Sequence, residues 1–151
     1  MSFPEGFPDG FFFIKSLYNG HVVDVGGGSK KSGASVHLWK KKDTDYANQA
    51  WCHHDGYLIN RNSGLVLDVS GEELALNRPL IQYMKKSRSE AENQRFGYKD
   101  GYIYCLANPD MVLDVKGEKF EPGGKLILYP KKPMTEGEVE NQLWVFEHAR
   151  T

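Results

Sequence analysis

Cysteine is scarce: Cys52 and Cys105 are the two in 151 residues, too few for a disulfide scaffold. They stand far apart and can pair only if the fold brings them together. Reduced thiols in a cytosolic protein are the expectation. Long apolar runs are missing too. Stretches such as Phe11–Ile14 last a few residues, against about 20 for a membrane-spanning helix. Nor is there an excess of one charge, since 19 Lys+Arg against 20 Asp+Glu leave a formal net charge of −1. That excludes a broad electrostatic footprint for nucleic acid or an anionic membrane. The stretch Met1–Gly6 lacks a basic segment, and the first cation is Lys15, unlike a secretory signal. No Asn-X-Ser/Thr sequon occurs. The expectation is a cytoplasmic protein, or one released without a signal peptide, with no membrane insertion and no nucleic-acid partner.

What the chain has instead is glycine (16) and aromatics (3 Trp, 8 Tyr, 8 Phe), many turns around an aromatic-rich core. It also repeats itself. Val23-Asp24-Val25, Leu67-Asp68-Val69 and Leu113-Asp114-Val115 place aspartates at steps of 44 and 46 residues. Asn48-Gln49, Asn93-Gln94 and Asn141-Gln142 recur at steps of 45 and 48, each followed after one intervening residue by Trp51, Phe96 or Trp144. Each repeat opens with a strand (Phe12–Leu17, Tyr57–Asn60, Tyr102–Leu106) and a turn at Asn19-Gly20, Asn62-Ser63-Gly64 or Asn108-Pro109-Asp110. The Asp-Val strand follows, then a glycine-bearing loop and a third strand at Ser35–Trp39, Leu80–Met84 or Lys125–Tyr129. Acidic stretches before each Asn-Gln are too short for stable α-helix and read as single turns. The fold class is therefore all-β. Three such units must close on one another to bury their apolar faces. A propeller needs four to eight blades, so a six-stranded barrel capped by three hairpins, the β-trefoil, fits best. One domain spans 1–151, with lobes at 11–54, 55–99 and 100–147.

Gln49-Ala50-Trp51, Gln94-Arg95-Phe96 and Gln142-Leu143-Trp144 resemble the Gln-X-Trp signatures of the ricin B-type (R-type) β-trefoil lectins, over essentially the whole chain from Phe11 to Glu147. The resemblance implies that glutamine and aromatic tie each lobe into the shared core. It also implies a sugar site made from the Asp of Asp-Val, a polar residue on the third strand, an aromatic two residues on, and the Asn before Gln. Lobe one offers Asp24, His37, Trp39 and Asn48. Lobe two offers Asp68, Gln82 and Asn93, with Met84 where the aromatic belongs. Lobe three offers Asp114, Tyr129 and Asn141, with Ile127 in place of the polar strand residue. On this alignment lobe one binds best and lobe two worst.

These residue types suit a pyranose. An ionised Asp accepts hydrogen bonds from two adjacent hydroxyls, Asn supplies donor and acceptor, and an aromatic face stacks on the C–H patch. The implied ligands are galactose- and N-acetylgalactosamine-type glycans, bound without chemistry, cofactor or metal, by a monomer or small homo-oligomer. Plainer readings stand beside these: each Asp bracing the next turn, each Asn serving as a turn residue, Trp39 lying in the core. Against the last, alternation puts Val36 and Leu38 on one face of the strand and His37 and Trp39 on the other. The alternatives at the level of function are a protein-binding trefoil (inhibitor, cytokine-like or actin-binding) and a toxin-like lectin targeting glycans.

Other patterns carry less. Gly26–Gly33 lacks the Gly-Lys-Ser/Thr ending of a phosphate loop. His21, His37, His53, His54 and His148 have no paired metal spacing. Asp43-Thr44-Asp45 lacks the later Gly and Glu of a calcium loop. Lysines cluster after each third strand, at Lys40–Lys42, Lys85-Lys86 and Lys131-Lys132, and read as a repeated solvated turn.

Overall fold

The computed structural model describes residues 3–150. Each lobe contributes four strands. Lobe one holds β1 (Phe12–Ser16), β2 (Val22–Val25), β3 (Val36–Trp39) and β4 (Ala50–His54). Lobe two holds β5 (Tyr57–Asn60), β6 (Val66–Val69), β7 (Leu80–Tyr83) and β8 (Phe96–Lys99). Lobe three holds β9 (Tyr102–Cys105), β10 (Asn108–Val115), β11 (Leu126–Pro130) and β12 (Trp144–His148). Helical structure among the described residues is limited to three-residue 3-10 turns, as short acidic stretches without room for a nucleated α-helix should give. No helix among them is long and apolar enough to cross a membrane.

The first and last strands of the lobes form the barrel. β1 pairs with both β12 and β4, β4 pairs with β5, and β8 pairs with β9, all antiparallel. Within lobes two and three, backbone bonds from Phe96 N–H to Gly56 O (2.7 Å) and from Trp144 N–H to Gly101 O (2.8 Å) tie the last strand of the lobe back to the start of its first. The inner strands pair as three capping hairpins, β2–β3, β6–β7 and β10–β11. This is a β-trefoil, in which the ladders form two sheets and the Phe96 and Trp144 backbone bonds bring β8 against β5 and β12 against β9.

One continuous core holds Phe12, Ile14, Trp51, Leu58, Phe96, Ile103, Leu113 and Trp144, all nearly or fully inaccessible to solvent. The signature tryptophans satisfy their indole N–H groups inside it: Trp51 Nε1 donates to Val23 O (3.1 Å) and Trp144 Nε1 to Leu113 O (3.2 Å). Phe7, ahead of β1, packs among Phe12, His53, Tyr98 and Phe146 with ring centroids 4.2–5.9 Å apart. Burial there lowers the His53 pKa below its ordinary value.

The third strands meet around the cap. Single antiparallel bridges join Ser35 to Ile81, His37 to Lys125 and Pro79 to Ile127. Equivalent backbone pairs accompany them: Gln82 N–H to Ala34 O, Leu128 N–H to Arg78 O and Leu38 N–H to Gly124 O, at 2.9–3.0 Å. Leu38, Gln82 and Leu128 are therefore equivalent, and all three are fully buried.

Candidate functional site

In every lobe the hairpin register puts the Asp of the Asp-Val strand opposite one third-strand residue: Asp24 opposite His37, Asp68 opposite Ile81, Asp114 opposite Ile127. Two residues further on stand Trp39, Tyr83 and Tyr129, each a partly exposed aromatic (41%, 41% and 36%). Lobe two thus differs from the sequence alignment. Gln82 lies on the buried side of β7, and Tyr83, not Met84, occupies the aromatic position. The spacing from Asp to aromatic, 15 residues in all three lobes, carries this signal in the sequence. Gln82 stays inside because its amide is satisfied there. Its Nε2 donates to Ser29 O and Lys31 O (2.9 Å each), and its Oε1 accepts from Ser63 Oγ (2.7 Å).

Each aspartate is held by its lobe's signature glutamine. Gln49, Gln94 and Gln142 donate through Nε2 to Asp24, Asp68 and Asp114, 2.9 Å in each case. The same Nε2 groups bond Lys40 O, Met84 O and Pro130 O, while Oε1 accepts from the N–H of Lys42, Lys86 and Lys132. One side chain therefore fixes both the acid and the end of the third strand. In lobe one Asp24 also accepts from His37 Nε2 (2.9 Å), whose ring stacks on Trp39 at 5.3 Å. Ile81 and Ile127 leave that bond out of the other lobes.

The asparagines are committed as well. Asn48 Nδ2 donates to Val25 O (3.0 Å) and Asp24 Oδ2 (3.3 Å), and Asn93 Nδ2 to Val69 O and Asp68 Oδ1. Asn141 Nδ2 donates to Val115 O (3.3 Å). Their Oδ1 atoms accept from lysines: Lys42 Nζ at 2.7 Å, Lys86 Nζ at 2.6 Å and Lys132 Nζ at 3.0 Å. These half-buried lysines belong to the clusters that the sequence suggests are a solvated turn. Their threefold recurrence after the third strand was the visible sign. Where both Asn protons are spent on the protein, as in lobes one and two, the ammonium is the group with donors to spare.

Asp24, Gly27, Gly28, His37, Trp39, Lys42 and Asn48 line an open depression of ≈ 190 Å³. Asp68, Ile81, Tyr83, Lys86 and Asn93 line a second, of ≈ 320 Å³. Burial raises the Asp68 pKa against the bond from Gln94. It pushes Asp114 up to about 6, against the lowering effects of Gln142, Lys132 and Asn141.

Three hairpins on a six-stranded barrel, each presenting a buried carboxylate beside an exposed aromatic, define a trefoil of the lectin type. The model of ricin-type beta-trefoil lectin domain-like proteins matches residues 3–83, and the chain belongs to that family. Mucoricin of Rhizopus delemar is 44% identical over 110 residues, covering 72% of this chain and 73% of that protein. The solution structure of the mdaA-1 domain superimposes with a TM-score of 0.82 at 30% identity, over 93% of this chain and 90% of that one. The C-half of the earthworm R-type lectin, solved in complex with GalNAc, shares the fold at a TM-score of 0.76 and 22% identity, over 95% and 98% of the two chains.

Proposed function

We propose that this protein is a non-enzymatic lectin that binds galactose- and N-acetylgalactosamine-type glycans through the depressions on its lobes. The observation that carries the reading is the lobe-one set. A buried, acceptor-only carboxylate (Asp24), an ammonium with free protons (Lys42) and an exposed indole (Trp39) converge on one depression. A carboxylate accepting a hydroxyl at its remaining lone pair, a cation donating to another, and a ring against a C–H patch together suit a pyranose. An axial 4-hydroxyl clears that patch for stacking, which favours galactose over glucose or mannose. A shallow site of this kind binds at about millimolar strength, roughly −4 kcal/mol, and several on one chain gain by avidity.

The test is competition on a glycan array. Galactose and N-acetylgalactosamine should displace the protein, and glucose and mannose should do so poorly. Binding confined to mannose structures would remove the galactose assignment, and an array without signal would remove the lectin reading itself.

A further inference from the structure

At each site the last residue of a neighbouring lobe's loop stands beside the third strand, and at lobe one that residue is a lysine from lobe three. The cap bridges set Ser35 beside Ile81, Pro79 beside Ile127 and Lys125 beside His37. Residues directly opposite on antiparallel strands put their side chains on the same face, with Cβ atoms about 5 Å apart. Lys125 therefore stands next to His37 on the outer face, where lobe two has a serine and lobe three a proline.

Lys125 ends the 116–125 loop, which lines a half-open cavity of ≈ 440 Å³ with Lys116, Lys119, Lys125 and Glu121 together with glycines and Pro122. Three ammonium groups against one carboxylate make it cationic, in a chain whose net charge is −1. None of these lysines takes part in an ion pair among the described residues. The loop is held firmly against lobe one. Gly123 N–H donates to Leu38 O (2.7 Å), Leu38 N–H to Gly124 O (2.9 Å), and Asn19 Nδ2 to Phe120 O (3.0 Å). Phe120 stacks on Tyr18 with centroids 4.1 Å apart. A Cβ placed on Gly123 would sit 3.8 Å from Cζ3 of Trp39, so the cavity wall runs along the edge of the aromatic platform.

We infer that this cavity is an anion subsite joined to the lobe-one site. A galactose-type residue stacked on Trp39 directs a sulfate or carboxylate substituent to Lys125 and the lysines behind it. The inference rests on the galactose reading of lobe one.

The experiment follows the Trp39 indole N–H signal of the intact protein during titration. The ligands are lactose, lactose sulfated on the 3- or 6-hydroxyl of its galactose, and lactose capped by sialic acid. At low salt at least one acidic ligand should bind about tenfold more tightly than lactose, and the advantage should shrink as salt is raised. A gain with sulfate alone or with sialic acid alone identifies the anion's source. Lys125→Ser should bring the acidic-to-neutral ratio close to one, and Lys125→Arg should keep it high. Lactose binding with no acidic advantage, or an advantage that survives Lys125→Ser, overturns the subsite and leaves the galactose reading standing. A Trp39 signal that responds to none of the ligands overturns both.

Discussion

Tyr83 follows Asp68 by the same 15 residues that separate Trp39 from Asp24 and Tyr129 from Asp114, and it is exposed to the same degree as Trp39. Tyr83→Ala should therefore weaken sugar binding in lobe two by the worth of one stacked ring, about 0.5–1.5 kcal/mol, roughly 2–12-fold. Met84→Ala should leave it within about twofold, which chemical-shift titration reads lobe by lobe. The opposite order would restore the alignment that placed Met84 at the site. Asp114 sets a pH dependence of definite sign. Its native carboxyl releases its proton near 6, against about 3.9 in an unfolded chain. Its contribution to stability is thus full below about pH 4 and lost as pH rises through 6. Sugar binding runs the other way, because the ionised form is the acceptor. Lowering pH from 7 to 5 should weaken lobe-three binding by about tenfold with no stability loss from this residue. An NMR titration in which lobe three binds equally well at both pH values would count against a carboxylate role there.

At the scale of elements, β7 shows how one strand serves two purposes. Its outward residues Ile81 and Tyr83 face the depression, while Gln82 points in and ties the β2–β3 loop to the β5–β6 turn through Ser29, Lys31 and Ser63. Lobes one and three place leucine there and need no such bonds. Gln82→Ala removes three hydrogen bonds, those to the Ser29 and Lys31 carbonyls and the Ser63 hydroxyl, and should cost about 1–3 kcal/mol of stability. Lobe-two affinity should hold, because no ligand group is removed. A melting temperature unchanged in the variant would mean that water replaces the amide. The ends of the third strands depend on the signature glutamines in the same way, each bonded at once to an aspartate and to the chain just beyond the strand.

For the molecule as a whole, stability comes from one aromatic core shared by three lobes and not from covalent links. Both cysteines are free thiols, and burial pushes the Cys105 thiol up to about 12. Reductant should leave the melting temperature unchanged, and alkylation of Cys105 should wait on unfolding. A drop of several kcal/mol on reduction would reveal a disulfide. The three-lobed trefoil was legible in the chain because its landmarks recur: Asp-Val strands, Asn-Gln pairs and a following aromatic each report the same local role three times. The face of β3 was legible too, since Val36 and Leu38 alternate with His37 and Trp39. The inward turn of Gln82 was not, because the partners that make a buried amide tolerable lie 19 to 53 residues away. Nor was the role of Lys42, Lys86 and Lys132, since a lysine in a polar turn looks solvated until the asparagine it bonds is placed beside it. Local pattern determined the repeats, the strands and the acids. Contacts between distant residues decided which polar side chains face a ligand and which are consumed by the fold, because a hydrogen-bonding group is free only when no partner elsewhere in the chain has already satisfied it.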